Sequence, residues 1–117
     1  MKILIVDDNP TTRRLIRSLV GHLGKEVFES SDGAGAIRTF LAHRPDWVLM
    51  DVEMEGVEGI AAARSIVAAD PAARVVMVSI HNDARLRAAA SAAGAIGYVL
   101  KEELITLPAL ISGSQRT

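Results

Sequence analysis

Four short and largely apolar runs, each followed at once by polar residues, constrain the fold of this chain more than any other feature. The run at residues 47–50 (WVLM) ends at Asp51, and the other three cover residues 1–6, 75–78 and 98–100. Apolar and polar residues do not alternate within these runs, which is typical of strands that are buried on both faces, as in a parallel sheet. The sequence therefore predicts an α/β fold.

Helical patterns separate the predicted strands. Asn9 and Pro10 are a typical N-cap and first helical residue, and apolar residues recur after them at helical spacing: Leu15, Ile16, Leu19, Val20 and Leu23. A second helix is expected to follow a cap at Asp32 and to end near His43, with three residues on its buried side: Ile37, Phe40 and Leu41.

Five strands that alternate with helices predict a doubly wound parallel sheet, with strands at residues 2–6, 25–29, 47–50, 74–79 and 95–100. A third helix is expected to end near Ala69. A fourth follows a cap at Asn82 or Asp83 and ends at Gly94, and the last begins within residues 102–106, with Pro108 in its first turn. We expect residues 1–117 to form one domain in which residues 112–117 are a linker or a frayed end.

Composition and charge argue against several classes of function. The net charge of -1 and the lack of a basic stripe give no reason to expect contact with nucleic acid. No apolar segment approaches the roughly 20 residues needed to cross a bilayer, and the opening residues do not resemble a signal peptide. Cysteine is absent, which fits a reducing compartment. We therefore expect a cytoplasmic protein that binds neither membrane nor nucleic acid.

Polar side chains lie at the carboxyl ends of four of the predicted strands. Asp7 and Asp8 follow the first strand, Asp51 the third and Lys101 the fifth, and Ser79 is the last residue of the fourth. In open α/β sheets the crevice beyond the carboxyl ends of the strands binds ligands. Three carboxylates this close repel one another unless a cation lies among them, and a set of oxygen ligands suits Mg²⁺. Each residue alone would be an ordinary turn residue. Together they predict a site for phosphoryl transfer onto an aspartate.

These residues, in this order on a five-strand α/β pattern, resemble the receiver domain of response regulators (CheY-like) over essentially the whole chain. Met54 and Gly59 also stand where that family commonly has Met and Gly after its acceptor. The resemblance implies a flavodoxin-like sheet of order 2-1-3-4-5. It also implies a two-component phosphoprotein, not an enzyme, in which Asp51 accepts a phosphoryl group from a sensor histidine kinase or a phosphotransfer protein.

The resemblance further implies a role for each residue of the magnesium site. Asp8 and Asp51 would bind Mg²⁺ directly, and Asp7 would help through a water molecule. The backbone carbonyl of Glu53 would complete the protein's share of the ligands. The Glu53 side chain could also reach the phosphoryl group or its attacking water, although a solvated loop acid is an equal alternative.

The same resemblance predicts a switch. Ser79 and Lys101 would contact the phosphoryl group, and Tyr98 falls at the family's switch aromatic, although a strand tyrosine with its hydroxyl at the surface is the simpler alternative. The face formed by the fourth helix, fifth strand and fifth helix would then control dimerisation or an output domain. The segment from residue 78 to residue 104 is most similar to receivers of LuxR-type helix-turn-helix regulators, which implies a DNA-binding transcription factor as the output.

The chain departs from the family pattern at two positions. Glu55 stands where the family often has proline, so the loop after Asp51 is expected to be less rigid. Lys101 is followed by Glu102 and not by the usual proline. A cis peptide without proline costs about 2.5–4 kcal/mol, so we expect this peptide bond to be trans.

Two other functions remain as alternatives. The first is a stand-alone or phosphorylation-independent receiver that acts as an interaction scaffold, although none of the expected acidic residues or the lysine is missing. The second, less favoured, is a magnesium-dependent phosphatase of the haloacid dehalogenase type. Its nucleophile lies in a DxD-like signature, and Asp7 and Asp8 do not have that spacing.

Overall fold

The computed structural model describes residues 1–54 and 58–113 of the chain. Five parallel strands form one sheet in the order β2-β1-β3-β4-β5. The strands are β1 (Lys2–Val6), β2 (Glu26–Ser30), β3 (Trp47–Asp51), β4 (Arg74–Ser79) and β5 (Gly97–Leu100). The predicted doubly wound order 2-1-3-4-5 is confirmed, with β3 at the centre and β2 at an edge.

Helices cover both faces of this sheet. In the described part of the chain they are α1 (Pro10–Val20), α2 (Gly33–His43), α3 (Gly59–Ala69), α4 (Ala84–Ala92) and α5 (Leu107–Gly113), with 3-10 segments at Gly21–Leu23 and Lys101–Thr106. Helices α1 and α5 pack on one face, and α2, α3 and α4 pack on the other. None of these helices combines the length and the apolar character that a bilayer-spanning segment requires.

The two faces of the sheet have separate cores, and this explains why the strand sequences do not alternate. In β3, Val48 and Met50 pack with α2, α3 and α4, whereas Trp47 and Leu49 pack with α1 and α5. Successive side chains of a strand point to opposite faces, so a strand covered on both sides must be apolar at every position. The four apolar residues of β3, at positions 47–50, are accordingly buried, and Asp51 at the end of the strand is buried as well.

Side-chain caps begin the helices at the carboxyl edge of the sheet. Asn9 accepts hydrogen bonds from the backbone N–H groups at the start of α1. Asp32 does the same for α2 and Asp83 for α4. The three predicted caps are confirmed, with Asp83 rather than Asn82 capping α4. Glu58 caps α3 in the same way. Each cap satisfies N–H groups that would otherwise be unpaired. The caps therefore define where each helix begins and where the loop before it ends.

Two residues of the predicted apolar helix faces are exposed instead. Leu15 and Leu41 each expose 49% of their surface. Each lies beside a buried residue, Ile16 in α1 and Phe40 in α2, but about 100° further around the helix. Each helix touches the sheet along a narrow stripe, so the apolar neighbour outside that stripe faces solvent.

Some predicted boundaries also shift. Strand β2 runs one residue later than predicted, and β5 starts at Gly97 rather than at residue 95, because the Ala95 N–H donates back to Ala90 O and so closes the end of α4. The last helical segment opens as a 3-10 helix before it becomes α5, with Pro108 in the first turn. The described residues contain no cis peptide bond, so the predicted trans geometry after Lys101 is confirmed. Glu55 and the end of the tail, residues 114–117, lie outside the described residues.

Candidate functional site

The carboxyl ends of β1 and β3 bring three aspartates together. Val6 pairs with Met50 across the two strands, so the residues that follow them, Asp7 and Asp51, lie side by side. Asp7, Asp51 and the neighbouring Asp8 each offer a carboxylate oxygen, and these three oxygens lie within 4.8 Å of one another. Asp7 and Asp51 are buried, whereas Asp8 is exposed. The structure thus places all three sequence-predicted acids in one cluster.

Lys101 closes this cluster from the end of β5. Its ammonium Nζ lies 3.1 Å from Asp7 Oδ2 and 3.5 Å from Asp51 Oδ2. Burial raises the pKa of Asp51 to about 6, and the Asp7 charge adds to the shift while Lys101 opposes it. Burial lowers the pKa of Lys101, but the Asp51 and Asp7 carboxylates outweigh it and leave that pKa above its ordinary value. One ammonium therefore faces three carboxylates when all are ionised.

The donor set fits a hard divalent cation. Asp7 Oδ2 is buried and lies 3.1 Å from the Lys101 ammonium. Buried charges need partners of opposite charge, and one ammonium cannot balance three carboxylates. Mg²⁺ binds through one or two carboxylates and several waters, and Asp7, Asp8 and Asp51 could supply such ligands. The chemistry of these residues thus agrees with the predicted magnesium site.

Helix α3 packs directly against the peptide of Asp51. The Gly59 N–H donates to Val52 O at 3.1 Å, and a Cβ on Gly59 would collide with the Asp51 carbonyl oxygen. Asp51 Oδ1 accepts a hydrogen bond from the Glu53 N–H at 3.2 Å, and Met54 is buried in the core below. Glycine is needed at residue 59 because any side chain would push α3 or the Asp51 loop away.

The Ser79 hydroxyl lies at the site but is engaged by Glu53. Ser79 is fully buried, and its Oγ donates to Glu53 Oε1 at 3.0 Å while it accepts from the His81 N–H at 3.0 Å. The other carboxylate oxygen of Glu53 lies 3.0 Å from His81 Nε2. The Tyr98 hydroxyl donates to the His81 carbonyl at 2.8 Å, and the Arg87 guanidinium lies over the Tyr98 ring. This network joins the loop after β3 to the loop after β4 and to β5.

Two further residues take part in this region that the sequence pattern did not predict. His81 bridges Glu53 and Tyr98, and the one available signal was its place two residues after Ser79. Arg13 in α1 donates to the Asp7 carbonyl oxygen. The sequence indicated this contact only weakly, because an arginine in the first turns of a helix usually faces solvent.

Comparisons with known proteins show which family this chain is similar to. The family model of the response regulator receiver domain matches residues 3–111. The chemotaxis protein CheY of Bacillus subtilis (strain 168) is 36% identical over 101 residues, which are 86% of this chain and 84% of that protein. The response regulator UvrY of Escherichia coli O6:H1 is 34% identical over 103 residues, which are 86% of this chain but 47% of UvrY.

A similar solved structure is a two-component response regulator of the LuxR family from Aurantimonas sp. SI85-9A1. It superimposes with a TM-score of 0.83 at 33% identity, and the match covers 96% of this chain and 85% of that one. The chain therefore spans most of the length of CheY and of this structure, and about half the length of UvrY.

Proposed function

The chain belongs to the response regulator receiver family, and from this premise we propose that it is the phosphoacceptor domain of a two-component system, with Asp51 as the acceptor. The observation that carries the proposal is the cluster at the carboxyl edge of the sheet. There, three carboxylate oxygens lie within 4.8 Å of one another and Lys101 Nζ lies 3.5 Å from Asp51. We assign this role to residues 1–117 as one domain.

The proposed donor is a phosphohistidine of a sensor histidine kinase or a phosphotransfer protein. A carboxylate oxygen of Asp51 forms a bond to phosphorus while the bond from phosphorus to the donor imidazole breaks, and the imidazole nitrogen keeps the electron pair. Because its pKa is about 6, Asp51 is mostly ionised at neutral pH and can act as the nucleophile. Lys101 stands where its charge can stabilise a phosphoryl oxygen.

The site is proposed to work with Mg²⁺. Asp8 and Asp51 would hold the ion directly, Asp7 through a water molecule, and the backbone carbonyl of Glu53 would complete the set. When bound, the ion supplies positive charge to the phosphoryl oxygens. Asp7 is held on one side by Lys101 and on the other by the Asn9 N–H, which donates to Asp7 Oδ1 at 2.8 Å.

Phosphorylation is proposed to act through Ser79. The modification adds roughly -1.5 to -2 of charge and three strong acceptors, which compete with Glu53 for the Ser79 hydroxyl. Because the His81 N–H donates to Ser79 Oγ and the His81 carbonyl accepts from Tyr98, movement of Ser79 would change the contacts of Tyr98. The face made of α4, β5 and α5 would then switch, with homodimerisation as one outcome.

The proposed output is control of transcription by a DNA-binding partner domain, as the LuxR family of the Aurantimonas regulator suggests. In this proposal the receiver itself contacts neither DNA nor membrane, catalyses no turnover of its own and works in the cytoplasm.

Mass spectrometry after incubation with Mg²⁺ and acetyl phosphate tests the acceptor. The wild-type chain should gain one phosphoryl group and Asp51→Asn none. Asp70→Asn is the matched control, because it makes the same chemical change at the opposite edge of the sheet, where Asp70 ends α3. If Asp51→Asn gains phosphate as readily as the wild type, the assignment is wrong. Steady turnover of a phosphate ester would instead support the phosphatase alternative.

A further inference from the structure

Arg13 connects the acidic cluster to the edge of the sheet. Its Nη1 donates to the Asp7 carbonyl oxygen at 2.7 Å, and its Nε lies 3.2 Å from Glu29 Oε1 on β2. The Arg13 side chain is only 20% exposed. A guanidinium presents its donors in a rigid planar fork, so Glu29 fixes the plane in which Arg13 approaches the Asp7 peptide.

The Asp7 carbonyl belongs to the peptide that joins the two acids. The Asp7 N–H donates to Ser30 O, and Asp7 Oδ1 accepts from the Asn9 N–H. Because the peptide unit is planar, the direction of the Asp7 carbonyl also fixes the Asp8 nitrogen and Cα. The Asp8 side chain is exposed, so the backbone is what fixes the point from which its carboxylate reaches the cluster.

We propose that Arg13 is a positioning residue for the magnesium site, because it fixes the peptide between Asp7 and Asp8 and so presents the Asp8 carboxylate to the ion. The inference rests on the proposed function, since it presupposes that the cluster binds Mg²⁺. It goes beyond that function because Arg13 contacts neither the ion nor the phosphoryl group. It acts through a hydrogen bond to a ligand's backbone.

The chain contains a matched control for this role. Arg17 lies one helical turn after Arg13, and its Nη1 binds the other oxygen of Glu29 at 2.7 Å. The hydrogen bonds of the Arg17 guanidinium reach Glu29 and not the acidic pair. Arg13→Gln and Arg17→Gln thus remove the same charge and the same ion-pair partner, but only Arg13→Gln removes the contact with Asp7.

Calorimetric titration with Mg²⁺ alone measures the effect. Loss of a group that orients a metal ligand typically lowers metal affinity by roughly 10- to 100-fold, so we expect about a tenfold weaker affinity for Arg13→Gln and less than a twofold change for Arg17→Gln. Arg13→Lys should fall between the two, because one ammonium can reach the Asp7 carbonyl but cannot also hold Glu29 as a fork. This variant keeps the test valid if Arg13→Gln does not fold.

A measurement on the metal-free protein separates positioning from general destabilisation. Amide exchange followed by NMR should show faster exchange of the Asn9 N–H, which donates to Asp7, in Arg13→Gln than in Arg17→Gln. Phosphorylation of Arg13→Gln by acetyl phosphate should be slow at limiting Mg²⁺ and should approach the wild-type rate when Mg²⁺ is saturating.

Equal Mg²⁺ affinities in Arg13→Gln and Arg17→Gln would overturn the inference, as would a phosphorylation defect that excess Mg²⁺ does not correct. Either result leaves the proposed function intact, provided that the wild-type chain binds Mg²⁺ and is phosphorylated at Asp51. If the wild-type chain does neither, the proposed function itself is wrong.

Discussion

At the scale of single residues, Asp51 combines burial with charge. It is 3% exposed and lies beside Asp7, and these two facts raise its pKa from 3.8 to about 6. A buried ionised carboxylate costs free energy of folding, and Lys101 offsets only part of that cost. The residue that the proposed reaction needs as a nucleophile is therefore a source of instability in the metal-free protein.

Because ionisation of buried Asp51 costs free energy of folding, this residue should make the metal-free protein less stable as the pH rises. Because the pKa of Asp51 is higher in the folded state, the folded state binds the proton more tightly than the unfolded state. The stabilisation that comes from protonation of Asp51 is complete below about pH 4. It is lost as the pH rises through about 6, and the loss is of the order of 3 kcal/mol. In urea unfolding with EDTA, Asp51→Asn should match the wild type near pH 4 and exceed its stability at pH 7.5. A wild type that is equally stable or more stable than Asp51→Asn at pH 7.5 would contradict this.

Glu53 is predicted to set the lifetime of the phosphorylated state. Its carboxylate lies two residues after Asp51 and accepts a hydrogen bond from Ser79. Once Ser79 turns to the phosphoryl group, this carboxylate is available to accept a proton from an attacking water. We expect Glu53→Ala and Glu53→Gln to lose phosphate several-fold more slowly than the wild type, as followed by mass spectrometry. Unchanged rates in both variants would show that Glu53 takes no part in dephosphorylation.

At the scale of elements, the first turn of α3 fixes the position of the acceptor. The Gly59 N–H bonds to Val52 O, and the Gly59 Cα lies against the Asp51 carbonyl. The start of α3 therefore packs against the backbone of the Asp51 loop, and the Glu58 side chain caps this first turn of the helix. Any change that moves α3 must also move the carboxylate that is proposed to be phosphorylated.

Gly59→Ala should therefore impair both stability and phosphorylation. A methyl group at this position meets backbone atoms and not a flexible side chain, and overpacking of this kind costs about 1–3 kcal/mol. Gly21→Ala is the control, because Gly21 already has a helical backbone and its Cβ would meet only Arg17 Cγ at 3.8 Å. Urea unfolding and the acetyl phosphate assay should show a loss for Gly59→Ala alone. Equal behaviour of the two variants would refute this role of α3.

At the scale of the whole molecule, a network of hydrogen bonds links the acidic cluster to a distant face. It runs from Glu53 through Ser79 and His81 to Tyr98 on β5. Helix α4, next to this strand, is rich in alanine and exposes most of its residues, so a partner could approach it closely. To move a two-state equilibrium from 1:99 to 99:1 requires about 5.5 kcal/mol of differential affinity, so partial activity without phosphate is expected.

Hydrogen exchange with and without beryllofluoride, a mimic of the phosphoryl group, tests this link. Protection should change around Asp51 and also in α4 and β5, because Ser79 and Tyr98 would exchange partners. Asp51→Asn is the control and should show no response. Light scattering on the same samples reports dimerisation. If the change stays confined to the neighbourhood of Asp51, the route through Ser79 and Tyr98 is wrong.

The sequence by itself determined the elements and their order. Burial of a strand on both faces requires an apolar residue at every position, and caps such as Asn9 and Asp32 act within three residues, so both features can be recognised in a linear sequence. The polar residues at the strand ends followed from these patterns, whereas the sheet order 2-1-3-4-5 followed from the family resemblance alone. The positions of Leu15 and Leu41 did not, because the width of the stripe that a helix buries depends on how it sits on the sheet.

Only the tertiary structure decided how the polar groups are engaged. The contact of Ser79 with Glu53 joins residues 26 positions apart, and Arg13 reaches Asp7 while it binds Glu29 on an edge strand. The pKa of Asp51 likewise depends on burial and on charges brought from two other strand ends. Electrostatic and hydrogen-bond energies depend on distances in space, and for residues on different elements those distances are set by packing and not by the sequence separation.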